Sequence, residues 1–303
     1  MMEVALPIWR SMLFIPAHLE KFTSRAHERG SDAVILDLED SVPDPLKAQA
    51  RAGVRAVAEG ISQRGTDVIV RINSDEDLPA VSSQGATLAD LEAVVCEAVR
   101  ALVVPKVNGP AVLRSIASQL SLIETARGLP EGHTRLIALI EDTDALLELD
   151  AIARASPRLI GMTLGPEDFS LSAGCQPTQN ALLLPSQLVL FACRRAGILP
   201  FGFPGSIGEF ADLGKLRDQV MLANELGFVG ALCVHPSQVR VLNEGFAPTA
   251  EEVEEARNVV AASEAALAAG RGAAGERGKM IDLPVVARAK ALLRRAVRPV
   301  EGP

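Results

Sequence analysis

The sequence predicts an α/β fold, a TIM (β/α)8 barrel followed by a C-terminal helical extension. Three observations carry that prediction. Eight short apolar runs recur across residues 11–234 with helical segments between them, a rhythm that suits a closed ring better than an open sheet. Two of the runs, LIALI at 136–140 and LIGMTL at 159–164, lead into the acids Glu141 and Asp168, with helical periodicity over residues 145–155 between them. Beyond residue 247 the pattern changes to an acid-rich helix start, a glycine-rich break and a last amphipathic helix. The expected division is therefore a barrel over residues 1–247 and a helical extension over 248–303.

In chain order the expected strands are 11–15, 33–38, 68–72, 102–104, 136–140, 159–164, 198–203 and 229–234. The seventh is the weakest, because Pro200 and Pro204 lower its strand propensity and keep an open doubly wound sheet as the alternative. Pro248 and Thr249, followed by Glu251, Glu252, Glu254 and Glu255, predict a capped helix that runs to about residue 269. Residues 270–278 are expected to be a flexible connection, and 283–297 a helix with basic residues toward its end. Such a tethered helix can pack on its own barrel or on a neighbouring subunit, and the neighbour is the favoured reading. Residues 63–65, 73–85 and 126–132 are expected to be loops.

Bulk chemistry narrows the function classes. A net charge of −8 and a pI near 5.2, with no basic stripe interleaved with aromatics, argue against a nucleic-acid partner. Hydrophobic residues make up 48% of the chain, yet no apolar run reaches the roughly 18 residues a membrane helix needs. The first residues carry neither a basic start nor a long apolar stretch, so the cytoplasm is the expected location. Cys96, Cys175, Cys193 and Cys233 are too widely spaced for a disulfide framework or a zinc site and are expected to be buried small apolar side chains.

In a parallel barrel the ligand site lies at the carboxyl ends of the strands, where Glu141 and Asp168 would converge. Two carboxylates with room for water and substrate suit Mg2+, whereas either acid alone would as readily cap a helix or pair with an arginine. Gly165-Pro166 makes a tight turn of the kind a crowded site requires. Alternation after the second strand sets Asp37 and Glu39 on one side and Leu38 and Asp40 on the other. The first pair would either form an internal network or touch substrate, with Lys47 and Arg51 as candidate positive partners. Arg71 closes the third strand and Lys106 follows the fourth, so both would bring a cation to the same mouth; Arg10 would join them, except that a first strand running to Ile15 sets it at the wrong end, and pairing of Arg71 with Asp37 or Glu39 is the alternative to substrate contact. His235 after the last strand would be an acid or base, or a neutral ring hydrogen-bonded to backbone. Lys106 is the one candidate for an imine, but flanking carboxylates make a metal-assisted enolate route more economical.

These residues also spell a family. The motifs RSMLFIP at 10–16, DLEDSV at 37–42 with Lys47 and Arg51, RIN at 71–73, VPK at 104–106, GPED at 165–168, HPSQV at 235–239, Asn243 with FAP at 246–248, and GKMIDLP at 278–284 stand in this order. Together they resemble the citrate lyase beta-subunit-like proteins of the HpcH/HpaI aldolase/citrate lyase superfamily, over almost the whole chain. The resemblance implies a TIM barrel, homotrimeric or hexameric, that binds Mg2+. It further implies cleavage or formation of a carbon–carbon bond between a 2-oxoacid and an acyl-CoA, from substrates such as malyl-, citramalyl- or citryl-CoA, through an enolate. Carried over by position, Glu141 and Asp168 are the metal ligands, and Arg71 holds a substrate carboxylate or thioester oxygen. Asp282 is an acid delivered into a neighbouring subunit's site, where a helix cap is the alternative reading. Asp37 and Glu39 join Arg71 and Asp282 in the catalytic set. Lys106, Gly165, Pro166 and Glu167 join Arg71 and Glu141 around the substrate, with backbone amides near Gly165 and Glu167 on the oxoacid carboxylate.

The resemblance leaves three other functions in view: an aldolase on free 2-oxoacids and aldehydes, a malyl-CoA thioesterase, and a non-catalytic subunit of a citrate lyase complex. The chain also departs from its relatives' pattern in several places. Asp142 stands where threonine is usual and would either add charge near the metal or cap the next helix. Pro166 removes a backbone donor. Ala231 stands where a lysine is frequent, residues 202–214 lack a common acidic pattern, and Leu283-Pro284-Val285 lacks the usual histidine.

Overall fold

Strands made mainly of apolar residues, most of them buried on both faces, dominate the centre of the protein, a pattern parallel sheets demand because helices cover their outer side. The computed structural model describes residues 6–74, 85–268, 274–276 and 279–296. Most of the expected loop at 73–85 and of the connection at 270–278 lies outside the described residues. The strands are β1 (Ser11–Pro16), β2 (Ala33–Asp37), β3 (Asp67–Arg71), β4 (Val99–Val104), β5 (Arg135–Ile140), β6 (Leu159–Leu164), β7 (Leu199–Phe201) and β8 (Ala231–Cys233). All pair in parallel in the order β7-β6-β5-β4-β3-β2-β1-β8.

The ring closes between β7 and β8. The Gly202 N–H donates to the Gly230 carbonyl at 2.8 Å, and the Val229 N–H donates to the Pro200 carbonyl at 3.1 Å. The open-sheet alternative therefore falls. Strands β7 and β8 are nonetheless shorter than expected, three residues each, and Pro200, which has no N–H to donate, contributes to the closure through its carbonyl alone.

Helices α1 (Glu20–Thr23), α2 (Asp44–Ser62), α3 (Ala86–Val94), α4 (Pro110–Ala126), α5 (Ala145–Ala153), α6 (Pro166–Ala173), α7 (Gln179–Ala196), α8 (Leu213–Leu226) and α9 (Pro236–Phe246) follow the strands in turn, two of them after β6. Inside the ring, Met12, Ile35, Ile69, Val103, Ile137 and Phe201 belong to one packed cluster. Phe201 fits because Gly161 has no side chain, for a Cβ there would lie 2.6 Å from the ring.

The amino-terminal end of the barrel is stitched by polar contacts. Arg10 grips Asp32 through Nε and Nη2, each at 2.8 Å, and Ser11 and Gly30 are tied to Asn243. Arg158 holds Glu124 by two bonds of 2.8 and 2.7 Å, and the amides of Gly132 and Thr134 donate to the same carboxylate. Arg10 is thus at the end opposite the mouth, as its place before the first strand implies.

The chain divides into two compact units, Met1–Asn243 and Glu244–Pro303. The second holds α10 (Ala250–Ala268), the antiparallel pair β9 (Ala274–Glu276) and β10 (Lys279–Ile281), and α11 (Leu283–Arg295). Helix α10 starts with a reciprocal cap: the Glu252 N–H donates to Thr249 Oγ1 at 3.1 Å, and the Thr249 N–H donates to the Glu252 carboxylate at 2.8 Å. Among the described residues no helix is long and apolar enough to cross a membrane. All four cysteines are free; Cys96, Cys193 and Cys233 are buried as expected, but Cys175, just past the end of α6, is only half-buried.

Candidate active site at the carboxyl end of the barrel

Glu141 is the first residue after β5, and Gly165 the first after β6, so the two stand at neighbouring strand ends. The Gly165 N–H donates to the Ile140 carbonyl at 2.9 Å and draws them together. A Cβ on Gly165 would lie 2.5 Å from Glu141 Cγ and 2.7 Å from its Oε1, so only glycine allows this carboxylate to rest there. The other oxygen, Oε2, accepts the Lys106 N–H at 2.6 Å. Pro166 then opens α6 at a position whose missing N–H costs nothing, which brings Glu167 and Asp168 into the first turn.

A cavity of about 300 Å³ lies over these groups. Arg71, Asp40, Glu141, Gly165, Pro166, Glu167 and Asp168 contribute to its wall, with Phe14, Leu139, Leu232, Val234, Phe203 and Ile207 supplying its apolar part. Arg71 is the sole Lys or Arg on the wall among the described residues. Its guanidinium binds Asp37 through Nε and Nη2, each at 2.7 Å, meets Glu39 at 2.8 Å and Asp40 at 3.5 Å through Nη1, and lies over the Phe14 ring at 4.8 Å. Asp37 and Glu39 therefore form a network around Arg71. Asp40 joins it as well, because β2 ends at Asp37 and strict alternation stops there.

Burial pushes the carboxyl of Glu39 up to about 8; Arg71 opposes this, while Asp40 and Glu141 add to it. Burial likewise lifts Glu141 to about 7, with Asp168 adding to the effect and the Lys106 amide and Arg71 opposing it. Asp37 is also raised by burial, but its two bonds to Arg71 outweigh that and hold it below the usual carboxylate range.

Lys47, Arg51 and the Gly165 amide depart from expectation, and His235 and Asp282 make the local contacts that stood as their alternative readings. Lys47 and Arg51 are not side-chain partners of Asp37 or Glu39. Lys47 donates to Asn73 Oδ1 and, at 3.4 Å, to the Glu39 carbonyl, and Arg51 pairs with Asp90 at 2.6 Å. Asp90, on α3 and fully buried, also accepts the Asn73 N–H and its side-chain amide, both at 2.7 Å. It braces the end of β3 from behind, a role its ordinary sequence context does not advertise. The Gly165 amide is spent on Ile140 and is not a donor for a substrate carboxylate. Asp142 accepts the Asp144 N–H at 2.7 Å, a bond within the turn that precedes α5. His235 accepts the Ser237 N–H on Nδ1 at 3.2 Å and stacks on Phe210 with ring centres 4.6 Å apart, away from the cavity wall. Lys106 is not on the wall either; its ammonium stands 3.8 Å from Glu39 Oε1. Asp282, in the second unit, caps α11 by accepting the Val285 N–H at 3.2 Å.

The donor set fits a hard divalent cation. Glu141 and Asp168 line one cavity closely enough for the second to raise the first, and among the described residues neither takes a Lys or Arg ion pair. Among the described residues no cluster of three His, Cys, Asp or Glu could cage an ion completely. An ion held by two carboxylates would keep its other positions for water or ligand oxygens, as Mg2+ does.

Known proteins supply the family. The chain is 36% identical to citrate lyase subunit beta of Escherichia coli K12 over 289 residues, 95% of this chain and 93% of that one. It is 32% identical to the L-malyl-CoA/beta-methylmalyl-CoA lyase of Cereibacter sphaeroides over 300 residues, 93% and 91% of the two chains. The fold is similar to that of CitE from Mycobacterium tuberculosis in complex with magnesium, acetoacetate and coenzyme A, with a TM-score of 0.72, 26% identity and coverage of 95% and 98%. The model of the HpcH/HpaI aldolase/citrate lyase family matches residues 10–236, and this chain, with its barrel and its paired acids at the mouth, belongs to that family.

Proposed function

We propose that this protein is a Mg2+-dependent carbon–carbon lyase. It cleaves, or in reverse forms, a 3-hydroxyacyl-CoA thioester of the malyl, citramalyl or citryl type, yielding a 2-oxoacid and an acyl-CoA. The observation that carries this reading is the meeting of Glu141, Asp168 and Arg71 on one cavity. The activities of the E. coli and Cereibacter relatives, and the magnesium and coenzyme A bound by the mycobacterial one, support it.

Glu141 and Asp168 would hold the magnesium ion, which when bound supplies Lewis acidity toward the hydroxyl and carboxylate of the substrate. Bond scission leaves an electron pair on the carbon next to the thioester, delocalised onto its oxygen. Arg71 stabilises that charge. Of the five guanidinium hydrogens, two go to Asp37 and one, at 3.5 Å, to Asp40; Glu39 lies 2.8 Å from Nη1 as an ion-pair neighbour without accepting a hydrogen bond, which leaves donors for a substrate oxygen. Asp37 fixes the plane of the fork. Glu39, held largely in its neutral form near neutral pH, spares Arg71 a second full negative charge. The substrate carboxylate is received by the amides of Glu167 and Asp168 at the start of α6, since Pro166 has none and that of Gly165 is spent. The net proton movement runs from the hydroxyl to the enolate carbon, and Asp282 from a neighbouring subunit of a homotrimer or hexamer delivers it.

The test is incubation of purified protein and Mg2+ with malyl-, citramalyl- and citryl-CoA, followed by mass analysis. At least one substrate should give oxoacid and acyl-CoA in equal amounts without free thiol. Glu141→Gln should lower that turnover by at least about 100-fold. Free CoA without oxoacid would mark a thioesterase, and condensation of free oxoacid with aldehyde but no thioester cleavage would mark an aldolase.

A further inference from the structure

Among the described residues Lys106 is the one non-glycine with a positive φ, +52°. The left-handed region is unfavourable for a side chain of this kind, so something must hold it there. Both flanks do. Val104 is the last residue of β4 and is paired with Ala138 of β5, and the Val107 N–H donates to the carbonyl of the very next β5 residue, Leu139, at 3.1 Å. Only Pro105 and Lys106 lie between these anchors, and the ring of Pro105 restricts its own φ, so the reversal falls on Lys106. Its consequence is the 2.6 Å bond from the Lys106 N–H to Glu141 Oε2. The second oxygen of that carboxylate lies over Gly165, where a Cβ would come within 2.7 Å of it.

We propose that the left-handed turn at Lys106 is a positioning device: its main-chain amide, and not its ammonium group, sets the carboxylate of Glu141 in the orientation that receives the cation. Lys106 is thus a positioning residue, and the backbone and side chain have separable tasks, for the ammonium is directed to Glu39 at 3.8 Å. The inference rests on the reading of Glu141 as a metal ligand and adds what orients it.

Titration of the full-length protein with Mn2+ alone, followed by calorimetry, tests this without reference to any substrate. Lys106→Gly and Lys106→Asn both tolerate the left-handed region but lose the ammonium, and each should bind Mn2+ within about 3-fold of the parent. Lys106→Val resists that conformation and should bind at least about 10-fold more weakly, the loss typical when a group orienting a metal ligand is removed. Gly165→Ala should weaken binding to a similar degree by displacing Glu141, and it replaces the valine variant if circular dichroism finds the latter unfolded. Equal losses in Lys106→Gly and Lys106→Val would overturn the inference in favour of the ammonium, and full binding by Lys106→Val or Gly165→Ala would overturn it outright. Absence of Mn2+ binding by the parent protein would sink both the inference and the metal site beneath it. Mn2+ binding in this order, with no thioester cleaved, would support the inference and refute only the proposed reaction.

Discussion

Glu39 is the residue at which the site's electrostatics and the stability of the barrel meet. It is buried beside Asp40 and Glu141, and its nearest neighbour of opposite charge, Arg71 at 2.8 Å, is already bound twice by Asp37, while the Lys106 ammonium stands farther off at 3.8 Å. Its carboxyl is raised from 4.5 in the unfolded chain to about 8 in the fold. Between those values the folded state keeps a proton that the unfolded state has lost, so this contribution to stability is full below pH 4.5 and disappears as pH rises through 8. Glutamine mimics the neutral acid. The metal-free Glu39→Gln variant should therefore melt with the parent protein at pH 5 and above it at pH 9, by roughly 2–6 °C for a gain of about 1–2 kcal/mol. Melting curves at the two pH values check this, and a variant less stable than the parent at pH 9 would mean that the ionised Glu39–Arg71 pair is worth more than its burial costs.

The elements divide the labour between the two ends of the barrel. Arg10–Asp32 and Arg158–Glu124 clamp the amino-terminal end, whereas the chemistry-bearing groups gather where the strands finish. Glu124 is fully buried, and burial alone would raise its carboxyl, but Arg158 and the amides of Thr134 and Gly132 outweigh that and hold it low. Removing it with Glu124→Ala strands the Arg158 guanidinium and should cost about 3–5 kcal/mol, read from chemical denaturation. Turnover per folded molecule should stay near that of the parent; a selective loss of turnover with stability unchanged would contradict the division. This architecture was legible in the residues because buried parallel strands leave continuous runs such as AVILD at 33–37, and because an acid directly after such a run is conspicuous. Gly165 could be read as a sign of crowding, and the crowding is against Glu141. Asp90 and the left-handed Lys106 were not legible. One is an ordinary acid inside a helix, and the other adopts a backbone state imposed by strand pairing on either side, which no local preference of lysine announces. The partners of Lys47 and Arg51 were misjudged for the same reason, since long side chains choose among acids that only the tertiary fold brings near.

For the whole molecule, the question is whether one chain suffices for a complete site. Asp282 caps α11 through Val285, a task that any good cap could perform, and the proposed second task is proton delivery to a neighbour's enolate. Asparagine caps helices about as well as aspartate but carries no exchangeable acid proton, so Asp282→Asn separates the two. Alone, Asp282→Asn and Glu141→Gln should each be nearly inactive while melting close to the parent protein. If the acid acts across subunits, dissociating and reassembling the two variants together recreates sites that combine Glu141 from one chain with Asp282 from the next. Random assortment of equal amounts makes about one site in four complete, so activity should return to about a quarter of the parent value in a closed ring of identical interfaces. An acid acting within its own chain leaves the mixture as inactive as its components, because every chain then lacks one of the two groups. A mixture that stays inactive under conditions where subunit exchange is verified by mass would assign Asp282 to its own chain's site, whereas an Asp282→Asn variant as active as the parent would confine Asp282 to its cap, and the proton donor would have to be sought among the groups around Arg71.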